Sequence, residues 1–141
     1  MAGLSMKPLD PDLESLVRRR MEKADADLEA AERLGPVVAD SSRLREIVGF
    51  HCQQTVEKYL KALLTFHQVE FPRTHELDRL LLLVAHVNRD VAEELGGARW
   101  LGPFGVDARY PGDGAEMLPG EEVRAIMLAR FAQEVVRRVL G

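Results

Sequence analysis

From about Pro11 to Leu34 the apolar side chains fall at Leu13, Leu16, Val17, Met21, Ala24, Leu28 and Ala31. Steps of three and four residues place them on one side of a helix whose other sides are charged. Pro11 suits the first turn of that helix, and Gly35-Pro36 stops it. The run Arg18, Arg19, Arg20 points to different sides and is expected to face water. A second helix is predicted from the caps Asp40, Ser41 and Ser42 to about His67. Its core stripe is Leu44, Val48, Cys52, Thr55, Tyr59, Ala62, Leu63 and Phe66, while Phe50, Leu60 and Leu64 lie off that stripe. A helix apolar on several sides is central in a bundle or meets a partner chain. We assign Phe50, Leu60 and Leu64 to a homodimer interface, because an exposed apolar patch is a liability in a monomer.

Phe71-Pro72-Arg73-Thr74 is read as a turn, with Thr74 as the cap of a third helix that carries Leu77, Leu80, Leu81, Val84 and Val87 inward to about Asn88. A fourth, weaker helix is predicted over Asp90 to Trp100, where Gly96-Gly97 lowers helix propensity. The glycine- and proline-rich stretch from Gly102 to Gly120 reads as a loop, long for a compact domain. A final helix runs from about Gly120 to Leu140, with Glu121 and Glu122 at its start and Arg137 and Arg138 at its end, as the helix dipole favours. No segment shows sustained period-two alternation. The expected fold class is therefore all-α: an up-down helical bundle of four to five helices, one domain over residues 1–141.

The 141 residues and 46% hydrophobic content support a single packed core and exclude global disorder. A net charge of −4 removes any overall basic surplus, so a nucleic-acid backbone must be held by a local patch if at all. The single cysteine, Cys52, cannot form an internal disulfide and reads as a small buried hydrophobe. No apolar run approaches the ~20 residues of a membrane span, and no secretory signal pattern opens the chain. We expect no membrane association and a cytoplasmic location. No metal-ligand cluster, phosphate-loop motif, dinucleotide fingerprint or nucleophile elbow is present in the sequence, so no metal or cofactor is expected.

Three groups of residues carry candidate chemistry. His51, Gln54, Lys58 and Lys61 sit at i, i+3, i+7 and i+10, which aligns them along one ridge of the second helix. An imidazole, an amide and two ammonium groups on one ridge suit a phosphate and a base edge; a plain solvated edge fits the same pattern. Pro72-Arg73-Thr74-His75 lies where a helix start would favour anions, with Arg73 and His75 as donors. Asp107-Ala108-Arg109-Tyr110-Pro111 sets an arginine beside an aromatic, a pair that can stack on a nucleotide.

The stretch Phe50-His51-Cys52-Gln53-Gln54-Thr55-Val56-Glu57-Lys58-Tyr59-Leu60-Lys61-Ala62-Leu63-Leu64 resembles the hallmark helix of the HEPN family of nucleotide- and RNA-associated helical bundles. Val69 to Leu77 resembles the turn that follows it, and Arg109-Tyr110-Pro111 the Arg-Tyr-Pro element before the last long helix. The resemblance implies a bundle that usually dimerises, is often encoded beside a minimal nucleotidyltransferase, and in some pairs acts as toxin and antitoxin. In the ribonuclease branch, an Arg is followed after four to six residues by a His at the start of the last long helix. Here the positions after Arg109 run Gly114, Ala115, Glu116, and none is His.

The sequence reading is accordingly a non-catalytic binding module, homodimeric, holding a nucleotide, RNA or a minimal nucleotidyltransferase partner. His51, Gln54, Lys58, Arg73, His75, Arg109 and Tyr110 would line its site. The alternatives are a metal-independent ribonuclease, with His75 or His51 as acid/base and Arg109 steadying the phosphate, and a structural subunit without a ligand.

Overall fold

The computed structural model of the protein describes residues 9–106 and 116–141. Five α-helices follow one another: α1 Pro11–Leu34, α2 Ser42–Phe66, α3 Leu77–Val87, α4 Arg89–Glu94 and α5 Glu121–Leu140. Two 3-10 segments, Gly35–Val37 and Leu95–Phe104, join them, and no strand occurs among the described residues. The all-α class and the count of four to five helices stand.

Local chemistry accounts for most of the boundaries. Asp10 caps α1 by accepting from the Leu13 N–H at 2.9 Å, and Pro11 occupies the first turn. Ser41 caps α2 by accepting from the Leu44 N–H at 3.1 Å. α3 begins at Leu77, later than a Thr74 cap would start it. The Thr74 hydroxyl instead accepts from the Glu76 N–H within the preceding turn. The predicted fourth helix is only six residues of α-helix, capped by the Asn88 side chain, and then tightens to 3-10 at Leu95. The glycine pair Gly96-Gly97 sits just past that change. The same 3-10 segment takes the first residues of the predicted 102–120 loop, and Met117 in that loop is buried.

α2 is the axis of the bundle, packed by α1, α3, α5 and the second 3-10 segment. That position explains its apolar character on several sides and corrects the interface assignment. Leu60 and Leu64 are 0% exposed within the single chain, buried among the helices of their own bundle, so they form no surface patch. Phe50 is half-buried, with its ring edge-on to His51. The large apolar side chains that do face outward include Val123, Met127 and Phe131, at four-residue steps along α5.

Side-chain bonds fix the order of the layers. Tyr59 donates to Asp25 on α1, and Gln133 on α5 donates to the Tyr59 hydroxyl at 2.9 Å and to Asp25 at 3.1 Å. One polar clasp thus ties α1, α2 and α5 together. Arg45 near the start of α2 pairs with Glu122 near the start of α5, and Tyr59 further along α2 meets Gln133 further along α5, so these two helices run in the same direction. Asp27 on α1 meets both His51 and Lys58 on α2. Glycine allows a close approach here: a Cβ on Gly49 would lie 2.7 Å from the Met117 side chain.

Candidate phosphate-binding groove

The ridge of α2 lies beside α1, and two carboxylates organise it. Asp27 accepts from His51 Nδ1 at 2.8 Å and from Lys58 Nζ. Glu57, only 3% exposed, accepts from Lys61 Nζ at 3.1 Å, from His75 Nδ1 at 3.1 Å and from Gln53 Nε2 at 3.2 Å. A buried carboxylate needs such donors to offset its lost hydration. Gln53 also donates to the His75 carbonyl at 3.1 Å and accepts from Gln54 Nε2 at 2.8 Å. The turn before α3 is thereby pinned to the middle of α2.

The candidate residues therefore divide. His51 and Lys58 share Asp27; His75 shares Glu57 with Lys61 and Gln53; and Gln54 is tied to Gln53. Arg73 is exposed on the turn ahead of α3. The Pro72 to His75 segment stops short of the helix, so the first free N–H groups of α3 do not belong to it. Arg109 and Tyr110 lie outside the described residues.

The opposite wall comes from α1 and includes Arg19 and Arg20, two residues expected from the sequence to face water. Leu16, Arg19, Arg20 and Lys23 on α1 line a cleft of about 350 Å³ together with Glu57, Lys58 and Lys61 on α2. Helical spacing explains the set, since positions 16, 19, 20, 23 and 27 lie on neighbouring turns of one side of α1. Five cations thus surround one cleft, and Lys58 and Lys61 have the carboxylate partners Asp27 and Glu57. Among the described residues Arg19, Arg20 and Lys23 meet no carboxylate, whereas Arg33, Arg99, Arg130 and Arg138 each do. The Arg20 Nε is buried and makes no hydrogen bond among the described residues. Burial, and then the neighbouring Arg19 charge, pull the Arg20 guanidinium below its ordinary pKa.

A second cleft of about 490 Å³ adjoins the first and shares Leu16 and Arg20 with it. Leu13, Val69 and Phe71 make it apolar, and Thr65, Gln68 and Glu70 complete its lining. Phe71 lies against two of the cations: its ring centre is 5.4 Å from the Arg20 guanidinium and 5.9 Å from Lys61 Nζ. The end of α2 puts it there. Gln68 takes a left-handed conformation with φ of 59°, and the Val69 N–H bonds back to the Leu64 carbonyl at 2.9 Å. That pattern turns the chain sharply back over the helix end.

Cations clustered around a concave surface focus a positive potential, even on a chain of net charge −4. The groove can accept an anion with several charged oxygens through charge-assisted hydrogen bonds. Among the described residues no group of three His, Cys, Asp or Glu side chains could hold a metal ion. Cys52 offers no nucleophile. Burial, reinforced by Glu32 and Asp27 and opposed by Arg130, pushes its thiol up to about 12. No helix among the described residues is long and apolar enough to cross a membrane.

In comparison with known proteins, the family model described as HEPN domain matches residues 17–141. No curated protein and no solved structure matches the chain.

Proposed function

The chain belongs to the HEPN domain family, and from that premise we propose that it is a helical module that binds a phosphate-bearing ligand, a nucleotide or RNA, in the groove between α1 and α2. The observation that carries this reading is the cation set Arg19, Arg20, Lys23, Lys58 and Lys61 around one cleft, where among the described residues Asp27 and Glu57 are the carboxylates that pair with them. Five cations against two carboxylates leave a surplus of like charge in the groove, and a bound phosphate relieves that repulsion. Of the residues expected from sequence, Lys58 lines the groove itself. His51, Gln54 and His75 set the carboxylate and amide network beneath it. Arg73, Arg109 and Tyr110 are kept in the proposal as contacts from the flanking segments.

The same reading includes a homodimer, now with the exposed α5 strip Val123, Met127 and Phe131 as its contact surface. Three arginines beside that strip turn away to partners in their own chain: Arg124 over Trp100, Arg130 to Glu32 and Arg138 to Glu94. That leaves an apolar surface of the kind that meets a partner. The proposed macromolecular companion is a minimal nucleotidyltransferase, and the proposed setting a toxin–antitoxin pair in the cytoplasm. The binding test is titration of the purified protein with a nucleoside triphosphate and with a short RNA at low and high salt. Binding to either that weakens as salt rises supports the reading. No binding of either at low salt refutes it.

A further inference from the structure

The two clefts between α1 and the end of α2 lie end to end, and Leu16 and Arg20 line both. Along α1 the lining runs from Leu13 in the apolar cleft to Lys23 in the cationic one, and along α2 from Thr65 back to Glu57. Ten residues of helix span roughly 15 Å, a length that takes about four or five residues of extended polypeptide. We propose that the clefts form one docking groove for an acidic segment of a partner protein, with an apolar side chain of that segment in the apolar cleft and its carboxylates among the cations. This inference rests on the reading of the cationic cleft as an anion site, and it adds a partner that competes there with the phosphate-bearing ligand.

Charge complementarity selects an acidic occupant. Five cations line the first cleft, and among the described residues Asp27 and Glu57 are the carboxylates that pair with them. Lys58 and Lys61 already meet carboxylates of their own chain, so this wall receives that group. Arg19 and Lys23 on the facing wall would take the carboxylates of the segment through charge-assisted hydrogen bonds.

The apolar half suits a side chain. Leu13, Leu16 and Val69 give it aliphatic walls. Phe71 completes the wall with a ring that is already engaged by cations, 5.4 Å from the Arg20 guanidinium and 5.9 Å from Lys61 Nζ. Burial of one large apolar side chain there adds affinity that charge alone does not supply. Glu70 also lines this end and repels a ligand carboxylate placed beside it. The segment is thereby oriented, with its apolar residue toward Phe71 and its acidic residues toward Lys23. Leu13 and Leu16 lie roughly 10 Å along α1 from Arg19 and Lys23. Apolar anchor and acidic residues therefore stand about three positions apart in an extended segment.

The test is calorimetric titration of the full chain at low salt with end-blocked hexapeptides. The parent peptide has phenylalanine at one end, a glycine-serine spacer, and three glutamates; it is made in both chain directions, and the tighter is used. Its relatives replace the phenylalanine by alanine or the glutamates by glutamine. The expected result is that the parent binds roughly tenfold tighter than the alanine peptide, that the glutamine peptide does not bind, and that adenosine triphosphate or a short RNA displaces the parent. The double variant Arg19→Glu, Lys23→Glu should lose at least tenfold in affinity for the parent. Leu13→Ser, shown to be folded by its far-ultraviolet spectrum, should narrow the advantage of phenylalanine over alanine. Equal affinity of wild type for the phenylalanine and alanine peptides overturns the inference, and so does a bound parent peptide that a bound nucleotide or RNA does not displace. If the nucleotide or the RNA binds wild type and no peptide does, the inference falls and the proposed function stands. If the parent peptide binds with the expected preferences and neither nucleotide nor RNA binds, the docking groove stands and the proposed function falls. If nothing binds, both fall.

Discussion

Tyr59 shows how much one polar side chain does in the middle of this bundle. Its hydroxyl joins Asp25 on α1 to Gln133 on α5, and burial, followed by its bond to Asp25, raises its pKa above the ordinary phenol range. Tyr59→Phe should cost about 1–2 kcal/mol in urea denaturation, because Asp25 and Gln133 lose a partner. The pH dependence has a definite sign. A phenol whose pKa is raised by folding contributes stability that is complete below about pH 10 and declines as the unfolded chain ionises above it. Stability should therefore fall less steeply above pH 10 in the variant than in wild type. Cys52 behaves in the same direction over a lower window. Its thiol is pushed up from 9.0 to about 12, so its contribution is whole below pH 9 and is lost as pH rises toward 12. Native Cys52 should resist a thiol reagent at pH 8 and react fully in denaturant; rapid reaction in the native state would contradict its burial.

Among the elements, the end of α2 and the outer face of α5 carry the most specific expectations. Gln68 is held at φ of 59° to turn the chain toward Val69 and Phe71. A side chain there is strained where glycine is not. Gln68→Gly should keep the turn and the helix content, measured by circular dichroism, because glycine adopts this φ without strain. On α5 the strip Val123, Met127 and Phe131 is exposed. If it joins two copies of the chain, Met127→Asp should give a monomer by sedimentation without loss of helix. An unchanged oligomeric state in that variant would remove α5 from the interface.

The sequence made these elements legible wherever a periodic stripe met a cap. α1, α2 and α5 begin and end close to where their stripes, their caps and Gly35-Pro36 place them. The start of α3 was less legible, because Thr74 serves a turn and not the helix. Leu60 and Leu64 were misassigned for a physical reason: apolar positions off the main stripe look alike whether a neighbouring helix or a partner chain covers them. The α2 ridge was visible as spacing, but its carboxylates were not. Asp27 lies 24 residues from His51, and nothing local connects them. Arg19 and Arg20 belong to the run Arg18 to Arg20, whose side chains point to different sides, so the run by itself does not show a shared cleft. The row formed by Leu16, Arg19, Lys23 and Asp27 was the signal available.

For the molecule as a whole, stability and binding should be linked through the groove. A ligand that binds only the folded chain, present at 100 times its Kd, adds about 2.7 kcal/mol to the free energy of unfolding. A saturating polyphosphate should therefore raise the melting temperature by several degrees at low salt, and the shift should shrink as salt rises. Elsewhere on the surface Arg33, Arg99, Arg130 and Arg138 meet carboxylates, whereas exposed arginines such as Arg43 do not among the described residues, so a general anion effect has to be separated from the effect at the groove. Substitution of Arg43, an exposed residue at the start of α2 that does not line either cleft, provides the control.

The central claim is that the cations between α1 and α2 hold a phosphate-bearing ligand, and charge reversal tests it most directly. The measurement is the affinity of a nucleoside triphosphate and of a short RNA for wild type, Arg43→Glu and the double variant Arg19→Glu, Lys23→Glu, at one low ionic strength. The account predicts that the double variant stays folded and loses at least tenfold in affinity for whichever ligand wild type binds, while Arg43→Glu changes it by less than about twofold. Equal losses in Arg43→Glu and the double variant, or no loss in either, would contradict it.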